Sequence, residues 1–159
     1  MREGTLVLGI GNPIRFDDAV GLRVAERVRA LGMPGVTVEE ESTSGLEVID
    51  IIMDFRTVIV VDAILTGRNP PGTVTVHRPE DFDLTVMAGS PHEINIFTAF
   101  EMGKRIEPDR MPEEIYLVAI EVWEVGTIDE GMTPEVEEAI PKAIRVVVDL
   151  VRDQKSREA

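Results

Sequence analysis

A chain of 159 residues is long enough for one hydrophobic core, and 43% apolar with only 4% aromatic residues means that core is built from Val, Ile, Leu and Met. Acidic residues outnumber basic ones 30 to 16, a net charge of −14 with no Lys/Arg stripe, which argues against a nucleic-acid partner. The absence of cysteine excludes disulfides, thiolate metal sites and a cysteine nucleophile, and no run approaches the roughly 18–20 apolar residues of a membrane span. No membrane partner is expected, and the protein reads as cytoplasmic.

Thr5 to Ile10 is a short apolar run that breaks at Gly9-Ile10-Gly11-Asn12-Pro13, a buried strand entering a tight loop. Ala19 to Ala30 follows as a helix with Val20, Val24 and Val28 on one face, ended by Gly32 and Pro34. Val36 to Glu40 gives a second strand, Ser42-Thr43-Ser44-Gly45 a small-residue loop, and Leu46 to Met53 a second helix. Thr57 to Val61 is the plainest buried strand and runs into Asp62. Thr73 to His77 is a fourth strand. Its connection to the third is too short for a helical crossover, so the two should run antiparallel.

An irregular stretch over 79–92 leads to a helix from about Glu93 to Lys104 and a strand from Ile115 to Val122. The last helix starts after Thr133-Pro134, a cap followed by proline at the first helical position, and runs to about Val151. The order β-α-β-α-β-β-α-β-α predicts one three-layer α/β/α domain over residues 1–151 with a mostly parallel sheet and right-handed crossovers. A polar, frayed tail is expected over 152–159.

In open α/β sheets chemistry gathers beyond the carboxyl ends of the strands. Three such positions carry suitable groups: the pair Asp17-Asp18 after the first strand, Asp62 at the end of the third, and His92 before the third helix. Asp17 has a structural explanation as the cap of the first helix, which leaves Asp18 for chemistry. Asp62 is driven to the sheet's end by an apolar run, where a carboxylate must be solvated, paired or metal-bound. His92 follows Pro91 at a helix entry, whereas His77 lies inside a strand and is given a structural role.

Two carboxylates and an imidazole suit a borderline divalent ion such as Zn²⁺ or Ni²⁺. No His-Glu-x-x-His helix is present, Ile14 stands where G-x-G-x-x-G needs its third glycine, and Ser42, Ser44 and Ser90 lack a G-x-S-x-G setting. The residues by themselves reach a hydrolase with an Asp/Asp/His metal site and go no further.

The ordered set of motifs goes further. Leu8-Gly9-Ile10-Gly11-Asn12-Pro13 with Asp17-Asp18-Ala19-Val20-Gly21 resembles the opening signature of the nickel-iron hydrogenase maturation endopeptidases. Ser44-Gly45-Leu46-Glu47, Val60-Val61-Asp62-Ala63, Ser90-Pro91-His92-Glu93 and Gly131-Met132-Thr133-Pro134 fall in matching order, so the likeness covers about Thr5 to Val151.

This resemblance implies a phosphorylase/hydrolase-like fold with a five-stranded mixed sheet. It implies removal of a C-terminal extension from the hydrogenase large-subunit precursor after nickel insertion; a monomer is expected. It maps the family's metal-binding and catalytic set onto Asp18, Asp62 and His92, and substrate recognition onto Ser42, Thr43, Ser44 and Gly45. The expected metal is nickel brought by the substrate, with zinc or cadmium as substitutes in vitro.

Asp18 stands where relatives commonly carry Glu, and Val122-Trp123-Glu124 replaces a proline-containing pattern. The competing readings are a general metal-dependent peptidase and a noncatalytic nickel-handling or docking protein for hydrogenase assembly.

Overall fold

The computed structural model describes residues 3–12, 19–42, 46–81, 96–123 and 132–158. Its elements are β1 (Thr5–Ile10), α1 (Val20–Ala30), β2 (Val36–Glu41), α2 (Glu47–Ile52), β3 (Thr57–Ile64), β4 (Val74–His77), α3 (Ile96–Ile106), β5 (Glu114–Glu121) and α4 (Pro134–Glu158), with a short 3₁₀ turn at Pro79–Asp81. The expected element order is found. Five strands form one mixed sheet in the order β2-β1-β3-β5-β4, with helices on both faces.

Strand alternation divides the core into two layers. Leu6, Leu8, Val58, Val60, Ile115 and Leu117 point to the face covered by α2 and α3, where Ile52, Phe97 and Phe100 meet them. Val7, Ile59, Val61, Val118 and Ile120 point to the face covered by α1 and α4. The three central strands are buried on both sides, which is why their sequences are nearly continuous Val/Ile/Leu runs. The edge strand β2 carries Glu39, Glu40 and Glu41, charges that discourage pairing with another chain.

β1 pairs in parallel with both β2 and β3, and β3 with β5. β4 runs against β3 as expected, yet it hydrogen-bonds antiparallel to β5, which lies between them. α1 and α2 lie on opposite faces, as connections of one hand require when the chain moves first one way and then back across the sheet.

One helix end departs from the sequence expectations, and the expected cap of another falls outside the described residues. The residue before α1 is Ala19, which offers no side-chain cap; Asp17 lies outside the described residues. Helix α4 does not fray at Val151 but continues to Glu158. Gln154 is buried there, its Nε2 donating to Tyr116 Oη at 2.9 Å with its Oε1 3.5 Å from the Thr57 hydroxyl. A buried amide with partners holds the last turns down. No helix among the described residues is long and apolar enough to cross a membrane.

Candidate functional site at the carboxyl end of the sheet

Strand order reverses direction between β1 and β3, because β1 leads through α1 to β2 on one side while the chain continues from β3 toward the other. The neighbouring ends of β1 and β3, from which the chain departs toward opposite edges of the sheet, mark the crevice that is the usual ligand position in open α/β sheets. Asp62 stands at this crevice. The β1–β3 ladder stops at Gly9↔Val61, one residue short of it, while β3 continues beside β5 with Asp62↔Ala119. By alternation its side chain shares the face of Val58 and Val60, and it is half-buried. Asp62 Oδ1 accepts the Ala63 N–H at 2.8 Å, which fixes the carboxylate rotamer at the strand's end.

Two glycines bring α1 down onto this crevice. A Cβ on Gly21 would lie 2.4 Å from the carbonyl oxygens of both Ile10 and Val61. One on Gly9 would lie 2.5 Å from the Gly21 carbonyl oxygen and 2.6 Å from Ala25 Cβ. Such contacts are closer than any side chain tolerates, so only glycine lets the helix start directly against the ends of β1 and β3.

Of the other expected site residues, Asp18, His92, Thr43, Ser44 and Gly45 lie outside the described residues. Asp18 directly precedes Ala19 in sequence, and His92 precedes Ile96, the buried first residue of α3, by four positions. Among the described residues no three His, Asp or Glu side chains converge as a metal site. Ser42 is described and exposed just after β2. It lines a groove of about 610 Å³ between β2 and the start of α1, together with Ala19, Arg23, Glu26, Glu40 and Glu41.

His77 ends β4, its Nε2 2.8 Å from the Thr75 hydroxyl. Partial burial holds its imidazole below the ordinary pKa, with the Asp81 charge opposing that shift. It lies on the edge strand at the register of Leu117, two residues before Ala119, the partner of Asp62.

Glu121 was not anticipated. It is 2% exposed at the end of β5, opposite Ile64 and on the same face as Ala119. Its carboxylate accepts the Thr66 N–H at 2.8 Å, the Thr66 hydroxyl, and the Gly67 N–H at 3.4 Å. The signal was in the chain: an acid ending the apolar run Ile115 to Ile120, the same pattern that marked Asp62.

Comparison with known proteins gives one consistent answer. The family model described as hydrogenase maturation protease (HycI) matches residues 22–150. The hydrogenase 2 maturation protease of Escherichia coli K12 is 29% identical over 151 residues, covering 93% of this chain and 90% of that protein. The solved structure of the hydrogenase maturating endopeptidase HybD from E. coli superposes with a TM-score of 0.78 at 27% identity, covering 97% of this chain and 94% of the other. HybD from Thermococcus kodakarensis, described as a [NiFe] hydrogenase maturation protease, shares the fold at a TM-score of 0.68 and 19% identity, over 95% and 99% of the two chains. With the family model spanning most of the chain and the expected fold in place, this protein belongs to the hydrogenase maturation protease family.

Proposed function

We propose that this peptidase removes the C-terminal extension of a nickel-iron hydrogenase large-subunit precursor after nickel has been inserted. Asp18, Asp62 and His92 meet the nickel carried by that substrate. The observation that carries the reading is the place of Asp62, a rotamer-fixed carboxylate at the switch-point crevice of a chain in this family. Two carboxylates and an imidazole match a borderline divalent ion and leave further positions for the substrate's own ligands. A partly open set of this kind binds a metal-loaded precursor better than an empty one, so cleavage becomes conditional on loading. The ion is cargo of the substrate, with zinc or cadmium as substitutes in vitro. Water adds to the scissile carbonyl carbon, a carboxylate takes its proton, and the proton passes to the leaving amine. The loop from Ser42 to Gly45 contacts the precursor, and the enzyme works as a cytoplasmic monomer.

The test incubates purified protein with nickel-loaded and nickel-free precursor and weighs the products by mass spectrometry. Cleavage of the loaded form alone is expected; equal cleavage of both removes the nickel gate, and cleavage of neither removes the reading. Asp62→Asn keeps an oxygen for the Ala63 N–H while deleting the charge. It and His92→Ala are each expected to abolish processing with an unchanged circular dichroism spectrum. Full activity in either would overturn the site.

A further inference from the structure

The chain contains a single tryptophan, and it is on the surface: Trp123 is 72% exposed, two residues beyond the buried Glu121 at the carboxyl end of β5. The neighbouring exit from β3 presents Leu65, 39% exposed. These two strand ends are joined by Val122 N–H donating to Ile64 O at 2.9 Å. Register places them near the candidate site: Asp62 lies opposite Ala119, and Trp123 is four positions further along that chain, two beyond the end of β5, a span of at most about 14 Å.

The connection over residues 65–73 is built to hold its shape. Glu121 fastens its first arm through the carboxylate bonds to Thr66 and Gly67. The same residue fastens its second arm through the backbone, Gly72 N–H donating to Glu121 O at 2.8 Å and Glu121 N–H to Thr73 O at 2.9 Å. A buried carboxylate costs energy to desolvate, and here it is spent on ordering a surface connection. Preordered apolar surface loses little entropy on binding.

We propose that Trp123 and Leu65 form a docking rim for the polypeptide segment of the substrate that enters the Asp62 crevice. This rests on the peptidase reading above. A protein substrate must bring several residues of extended chain across the strand ends to place one bond at Asp62, and about four residues of such chain span the interval to Trp123. An exposed rigid aromatic is the residue type that most often dominates protein recognition. A second copy of this chain is the poorer occupant, because a net charge of −14 repels its own kind.

The experiment measures processing kinetics of wild type, Trp123→Phe and Trp123→Ala on the nickel-loaded large-subunit precursor from the same cell. It also follows Trp123 fluorescence on addition of a tryptophan-free peptide spanning the cleavage junction. For Trp123→Ala, KM is expected to rise on the order of tenfold with kcat within about twofold, and Trp123→Phe to fall between. Peptide binding shifts the wild-type emission to the blue and shields it from acrylamide. If wild type cleaves but KM of Trp123→Ala stays within about twofold, or only kcat falls, the rim is wrong and the peptidase reading stands. Emission left unmoved by saturating peptide also overturns the rim. So does gel filtration in which wild type is a dimer and Trp123→Ala a monomer. Failure of wild type to cleave overturns both.

Discussion

At the scale of single residues, Gly21 does what no larger side chain can. The carbonyl oxygens of Ile10 and Val61 occupy the space a methyl group would need, and both belong to central strands that cannot yield. Gly21→Ala therefore has to displace α1, at a cost of about 1–3 kcal/mol by the usual scale of overpacking. The drop is read as a lower urea midpoint. Because α1 begins two residues after Asp18, processing should also slow at temperatures where the variant is fully folded. Normal kinetics in a folded Gly21→Ala protein would show that the helix entry does not set the site. His77 makes the opposite case. Burial, the larger cause, lowers its pKa in the folded protein, with Asp81 pulling the other way. Between that lowered value and the ordinary imidazole value the unfolded chain binds more protons. Stability is thus complete above about pH 6.5 and falls as pH drops through that window. His77→Gln should lose this part of the acid sensitivity, measured as melting temperature against pH, while processing precursor normally at neutral pH.

Among the elements, α4 and β5 carry consequences that their local sequences conceal. The polar run after Val151 reads as a frayed end, yet Gln154 docks against Tyr116 of β5 and Thr57 at the start of β3. Truncation after Val151 deletes that amide and leaves two buried hydroxyls wanting, a loss of about 1–3 kcal/mol in chemical denaturation. The cluster sits at the amino end of β3, away from Asp62, so processing well below the melting temperature should survive the truncation. An unchanged denaturation midpoint would mean that the last turns of α4 are ornamental. Strand β5 is the other case. It separates β3 from β4, so its carboxyl end supplies both the partner of Asp62, Ala119, and the buried anchor Glu121. Short connections suggest that consecutive strands are neighbours, and the third and fourth are not. The aliphatic run Ile115 to Ile120 is buried on both faces, and the centre of the sheet is where such a run is most stable.

For the whole molecule, local pattern was enough for the alternation of strands and helices, the two-sided core and the family. Those properties are repeated along the chain, in aliphatic runs of strand length, valines at helical spacing and short motifs in fixed order. Asp62 was legible for the same reason, as an acid at the end of an apolar run, a position where a carboxylate needs a purpose. Glu121 carried the same mark. Its duty was not visible, because the N–H groups it accepts lie 54 and 55 residues away and are brought to it only by the β3–β5 pairing.

The sequence by itself determined which residues form elements, which faces are apolar and to which family the chain belongs, since these follow from side-chain chemistry at short spacing. The tertiary structure alone decided the order of the strands, the crevice between β1 and β3, the glycine contact that seats α1 and the burial of Gln154. Each of those depends on contacts between residues far apart in the chain, and nothing in a local window records which distant surface will be the partner.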